Sequence, residues 1–242
     1  MRLPLAETTL LFGLVSPSMF RVMPVTAFWR EARGLFRQAR NDASAARVRD
    51  GLQTALLEGG GCVELTDRVR PRPLSELKAE ARLLRGQRVL EAYFASVGRA
   101  DATYVDFRPD RFESAGARLL WSPLPVHVEW DRAFLAGVRD MYTGFYRDEP
   151  ERMRAGLAAL ELSGAEQAMR AHFGEGDQRS VMFTSAGFKA SFGRVFDRVA
   201  ELGHPLHPNF IGLGAMLATL YLHLEAVGVP LDVRTAFEAS WT

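Results

Sequence analysis

The stretch AEARLLRGQRVLEAYFASVGRADATYVDF, residues 79–107, decides how the rest of the chain is read. Within it Ala79, Leu83, Gly86, Leu90, Tyr93, Phe94 and Val97 recur at alternating steps of four and three, the period of an amphipathic helix. From Ala102 to Phe107 the pattern turns β-prone, and Arg118 to Ser122 is a second such run. A polar segment opening on Arg108-Pro109-Asp110-Arg111 separates the two, so they are expected to form a small hairpin. Pro123 and Pro125 end the second strand.

Working upstream, Cys62 to Thr66 reads as a short strand, and Gly59-Gly60-Gly61 stops a helix over Ala43–Leu57 that Asn41-Asp42 can cap. A phosphate-cradling loop places its glycines between a strand and the helix that follows it; this triplet leaves a helix and enters a strand. Leu5–Val15 and Thr26–Arg40 read as two earlier helices. Downstream of Trp130 everything is helical in pattern. Phe134, Val138, Met141, Tyr142 and Phe145 form one stripe, and Arg152–Leu162 and Ala165–Phe173 form two more, with breaks at Pro150 and Ser163-Gly164. Phe188 to Val199 precedes the most apolar helix, Pro208 to Glu225, and Val233–Trp241 closes the chain. The reading is mainly α with a small β-element: an N-terminal helical extension over 1–60 and a helical domain over 61–242.

The chain has 242 residues, 48% of them hydrophobic and 24% charged, which excludes intrinsic disorder and fibrous architectures. Thirty basic against 29 acidic residues give a net charge of +1, and 28 of the 30 are arginine because Lys78 and Lys189 are the only lysines. So even a balance gives no field for a polyanion, and no nucleic-acid partner is expected. The single cysteine, Cys62, cannot close an internal disulfide, and cytoplasm is the default localisation. No uninterrupted apolar run reaches the length of a bilayer span. Apolar residues crowd Leu3–Phe28, however, and are expected to meet a protein partner, a second copy in a homo-oligomer, or the surface of a membrane. The 16 phenylalanines and eight methionines suit core packing, or a cavity or groove for an isoprenoid or acyl chain.

The order strand, long helix, small hairpin and all-helical tail is also that of the C-terminal lobe of a protein-kinase-like fold, and the residues from Val63 to Trp241 resemble the UbiB/AarF family of atypical kinase-like proteins. Arg72-Pro-Leu-Ser-Glu-Leu resembles the segment near the family's hinge, and Arg88-Val-Leu-Glu-Ala-Tyr-Phe the helix that leads into its catalytic loop. Ala100-Asp101 and Phe107-Arg108-Pro109-Asp110 resemble the flanks of that loop, and Glu129-Trp130-Asp131-Arg-Ala-Phe-Leu the start of the helix after the metal-binding motif. The resemblance implies that of the family's H-x-D-x-H-P-G-N loop only Asp101 survives, with Asp106 standing loosely for the asparagine. It further implies that Pro123-Leu124-Pro125 replaces the D-F-G motif that would hold Mg²⁺. Neither lysine falls where the family's phosphate-binding lysine would, and sixty residues cannot hold the N-terminal lobe. Phosphoryl transfer needs positioned metal and cationic groups, so a relic without kinase activity is implied. A non-catalytic binding or scaffold protein, with an isoprenoid-like ligand or a protein partner and with no cofactor or metal, is the expectation.

A second function class reads Asp101, His127 and Glu129 as acid/base groups of a small cofactor-free helical enzyme, because a carboxylate beside a histidine orients its ring and raises its pKa. His204 and His207 have a spacing that metal sites use but no further ligands nearby. His223 in the apolar helix and Cys62 in its strand read as core residues.

Overall fold

The computed structural model describes residues 42–173, 179–203 and 206–241. The expectations for Leu5–Val15, Thr26–Arg40, Leu3–Phe28 and His204 fall outside them. In chain order come α1 (Asp42–Glu58), β1 (Val63–Leu65), α2 (Ala79–Arg99), β2 (Ala102–Tyr104), β3 (Phe112–Ala115), β4 (Arg118–Trp121), β5 (His127–Glu129), α3 (Arg132–Tyr146), α4 (Pro150–Ala159), α5 (Glu166–Phe173), α6 (Ser185–Leu202), α7 (Asn209–Val227) and α8 (Val233–Ser240). The chain is mainly α with a small β-element.

The long amphipathic helix forms where its periodicity places it, and α2 becomes the axis of the fold. From Arg85 to Gly98 nearly all of it is buried, with α8, α7, α1 and α3 packed around it. Helix α7 is apolar on every side, which a helix in water cannot be unless it is covered. Among the described residues it is the one helix long and apolar enough to cross a membrane, and 67% of its apolar window is buried inside the protein. The aromatic surplus fills the core: Phe94 meets Tyr142, Tyr146, Phe237 and Trp241 edge to face at 5.4–6.1 Å.

The expected hairpin needs correction. Ala102–Tyr104 does not pair with Arg118–Trp121; it runs antiparallel to His127–Glu129, with Tyr104 opposite His127. The hairpin is made by β3 and β4, joined by the two residues Gly116 and Ala117. Gly116 has φ +64°, a left-handed conformation that costs a glycine little and that suits the first place of a two-residue hairpin turn. β1 adds to β4 in parallel, giving the order β1-β4-β3. The polar look of Glu113 and Ser114 hides β3. The break expected at Pro150 falls between α3 and α4, and Pro150 is the first residue of α4, where its missing N–H is not needed.

Two buried networks lock the β-element to the helices. Arg85, 2% exposed, donates from Nη2 to the carbonyls of Pro109 (2.6 Å) and Phe112 (3.1 Å) and from Nε to His223 Nε2 (3.1 Å). His223 in turn bonds the Phe107 carbonyl through Nδ1 at 2.9 Å. Because Nε2 accepts from a guanidinium, the ring is neutral with its proton on Nδ1. Burial, then the Arg85 charge, lower its pKa to about 3, while burial lowers Arg85 to about 10, still charged at neutral pH. One turn earlier on α7, Thr219 Oγ1 donates to the Val105 carbonyl (2.6 Å) and accepts from Phe107 N–H (3.1 Å).

Helices α3 and α4 approach so closely that only glycine fits at the crossing. A Cβ at Gly156 would stand 2.4 Å from Met141 N and 2.7 Å from the Gly137 carbonyl, and one at Gly144 would stand 2.2 Å from Met153 N. Glycine 51 in α1, by contrast, has nothing within 4 Å of an added Cβ. The same substitution should therefore have opposite signs at two helical sites. Gly51→Ala stabilises by up to about 1 kcal/mol through helix propensity, and Gly156→Ala destabilises by about 1–3 kcal/mol through overpacking. Denaturant midpoints check both, and a neutral Gly156→Ala would mean that the two helices do not approach this closely.

The neutral His223 gives a pH prediction. Its folded pKa of about 3 lies below the ordinary value of about 6.5, so the unfolded chain takes up a proton first as pH falls. The stability it contributes is present above about 6.5 and is lost below it, by about 2 kcal/mol between pH 7 and pH 5. Denaturation midpoints across that range should fall in the intact protein and less steeply in His223→Gln. A flat profile in the intact protein would overturn the neutral buried ring.

Candidate functional site

The loop from Val105 to Phe112 joins β2 to β3, and the two networks above hold it by the backbone at Val105, Phe107, Pro109 and Phe112. Trp121 Nε1 adds a bond to the Asp106 carbonyl at 3.0 Å. So much anchoring fixes the position of one buried carboxylate, that of Asp106, which is 4% exposed. Arg108 grips it with two donors, Nε to Oδ1 at 2.7 Å and Nη2 to Oδ2 at 3.0 Å, and Arg111 Nε stands 3.1 Å from Oδ2. Leu124 N–H, from the Pro123-Leu124-Pro125 segment after β4, donates to Oδ2 at 3.3 Å. The hairpin thus folds the Pro123-Leu124-Pro125 segment back onto the loop that precedes β3. Asp106 is not an open metal ligand: two arginines from its own loop surround it.

Of the three residues read as acid/base candidates, the structure brings two together and separates the third. Side chains alternate along a strand, so His127 and Glu129 share one face of β5 and meet Ser44 on α1. The Ser44 hydroxyl donates to Glu129 Oε1 at 2.7 Å and lies 3.3 Å from His127 Nε2. Its one proton is directed to the carboxylate, so the ring is the donor of the pair. An activated nucleophile needs the reverse, a histidine that takes the serine proton. His127 has no exposed surface, and burial lowers its pKa, although the Pro125 carbonyl and the Glu129 charge pull toward the protonated ring. Its Nδ1 has no partner of hydrogen-bonding geometry. The expectation that Glu129 raises this pKa is therefore corrected: desolvation outweighs the carboxylate.

Asp101 is exposed, and its carbonyl accepts from Trp130 N–H at 3.0 Å, which continues the β2–β5 ladder by one step on the opposite face. It lines a cleft of about 400 Å³ with residues of α3 and with Trp130 and Trp241. His127 and Glu129 take no part in that cleft.

The remaining candidates are accounted for locally. Cys62 is half-buried just before β1 rather than inside it, and its thiol donates to the Gly60 carbonyl at 3.2 Å. His207 stacks on Phe134 and accepts the Asn209 N–H at Nδ1. Among the described residues no three of His, Cys, Asp and Glu gather as a metal site. Sequence reading missed Ser44 and the roles of Arg108 and Arg111. The two arginines stand two and five residues after Asp106, a spacing that could have been read as a carboxylate clamp. No protein-family model and no curated protein matches the chain.

Proposed function

We propose that this chain is a non-catalytic binding protein of kinase-like, UbiB/AarF-type descent, in which the loop that would carry phosphoryl transfer has become a structural clasp. The observation that carries the reading is the closure of Asp106 by Arg108, Arg111 and the Leu124 N–H. Both segments named by the resemblance, the loop before the hairpin and the proline segment after it, lie against each other. The cationic groups that meet Asp106 there are the guanidiniums of Arg108 and Arg111. The order of elements agrees with that descent: long helix, short strand, loop, hairpin, and a short strand that returns to pair with the first. The acid/base alternative has less behind it, since Asp101 stands apart from His127 and Glu129 and the serine proton points away from the histidine. A ligand-sized cleft lies beside Asp101 among the described residues, and its charged lining suits a polar ligand better than an isoprenoid or acyl chain.

Two measurements test this. Millimolar Mg·ATP should leave the melting temperature unchanged, whereas a ligand at 100 times its Kd would stabilise by about 2.7 kcal/mol. Asp106→Asn should destabilise by about 2–3 kcal/mol, at or below the low end for breaking a buried pair because both arginines keep some solvent contact. A catalytic carboxylate would behave oppositely, costing little or even stabilising when neutralised. A magnesium-dependent shift that Asp106→Asn abolishes would overturn the reading.

A further inference from the structure

His127 on β5 has no exposed surface, and its Nδ1 is buried without a hydrogen-bond partner. Polar atoms buried in folded chains are nearly always paired, so one that is not calls for an explanation. No ligand reaches an atom with so little surface, but a proton does. The ring stands between two acceptors. On the Nε2 side is Ser44 Oγ at 3.3 Å, whose own proton goes to Glu129 Oε1 at 2.7 Å. On the Nδ1 side is the Pro125 carbonyl, which favours the protonated ring. A neutral imidazole has one N–H and serves only one of the two. The Ser44 contact takes it, which leaves the Nδ1 lone pair toward a second acceptor. The imidazolium has a donor for each.

Pro125 belongs to a segment that few backbone bonds hold. Ser122 N–H is fixed to the Arg111 carbonyl at 2.8 Å, and the Val126 carbonyl to Val105 N–H at 3.1 Å. Between these anchors Pro123 and Pro125 have no N–H to give, so Leu124 N–H is the one backbone donor. It goes to Asp106 Oδ2 at 3.3 Å, longer than the Arg108 and Arg111 contacts to the same oxygen at 3.0 and 3.1 Å. One short piece of chain thus meets the buried ring through a carbonyl and the buried carboxylate through an amide. Among the described residues the other charged or titratable groups on this face are Glu129 on β5, Tyr104 on β2, and Arg49 and Asp50 on α1. Tyr104 stands edge-on to the ring at 6.3 Å, and Arg49 and Asp50 act on Tyr104.

We propose that His127 is a proton-operated latch on the Asp106 clasp. A proton taken up at Nδ1 draws the Pro125 carbonyl into a hydrogen bond, and the shift of that segment loosens the bond from Leu124 N–H to Asp106. Burial outweighs both acceptors, so the folded ring takes up its proton below the ordinary value of about 6.5. The clasp is therefore closed at neutral pH and loosens in acid. By reciprocity, a proton that loosens the clasp binds less tightly while the clasp is closed. The inference rests on the closed Asp106 of the reading above and gives that site a regulator.

Heteronuclear NMR of the whole protein, titrated from neutral pH into acid while it stays folded, is the test. At neutral pH the His127 ring should have its proton on Nε2 and none on Nδ1. Both nitrogens should be protonated at the acid end, with one midpoint below about 6.5. The Leu124 amide resonance should move with that midpoint, and in His127→Gln this movement should be lost. Should His127→Gln fail to fold, the agreement of the ring and amide midpoints in the intact protein decides. A neutral ring with its proton on Nδ1, or a ring that stays neutral until the chain unfolds, would overturn the proposal. So would a Leu124 amide that does not follow the ring, or one that moves unchanged in His127→Gln. A magnesium-dependent nucleotide shift would instead sink the non-catalytic reading and leave the latch to be judged by the titration.

Discussion

A guanidinium buried without a carboxylate organises this structure. A charge taken out of water must be resolvated by the protein, and Arg85 is resolvated by two loop carbonyls and one imidazole nitrogen. None of these is negative, so the interaction depends on dipoles that point correctly. For His223 to accept at Nε2 it must stay neutral, and it then has a proton at Nδ1 for the Phe107 carbonyl. One arginine on α2 thereby determines the tautomer of a histidine on α7 and the path of the loop between them. Had Arg85 paired with an aspartate, the pair could have formed without the loop.

The loop's rigidity explains why Asp106 reads as structural. Its two oxygens receive Arg108 through N–H, Nε and Nη2, Leu124 through N–H, and the adjoining Arg111. Such a carboxylate is saturated as an acceptor, and to act on a substrate or metal it would first have to shed charge-assisted bonds. Asp101, five residues earlier, is the opposite case: exposed, within Coulombic reach of Arg139 and beside a cleft. Between two aspartates so close in sequence, the difference lies in what the fold brings to each.

Local features were legible and distant ones were not. The helix over 79–97, the strand at Cys62–Thr66 and the closing helix all follow from period and punctuation, which are properties of a few neighbouring residues. The hairpin was misassigned because β3 offers a single apolar residue, Phe112, before turning polar at Glu113 and Ser114, and its pairing depends on Gly116. Ser44 meets His127 across 83 positions, and Arg85 meets His223 across 138. No spacing rule spans such distances. Nor could His127 be assigned its lowered pKa, since the neighbour visible in sequence, Glu129, pulls the other way while the burial that outweighs it comes from the packing.

The separation of Asp101 from His127 follows from register. In the β2–β5 ladder Tyr104 faces His127 and Ala102 faces Glu129, and this face looks onto α1, where Tyr104 reaches the Ala45 carbonyl and Ser44 reaches Glu129. The other face carries Val128 against Gly212 of α7 and, one step on, Asp101 and Trp130 at the cleft. A slip of one residue along β5 would turn that strand over, sending His127 toward α7 and Val128 toward α1 while β2 kept its faces. Three-residue strands specify their register weakly by themselves. What sets it is the next step of the ladder: Val105 N–H bonds the Val126 carbonyl at 3.1 Å, while Thr219 holds the Val105 carbonyl from α7. The clamp that closes Asp106 is thus continuous with the one that points Asp101 outward, so loosening Thr219 or His223 would disturb the cleft without touching a residue that lines it.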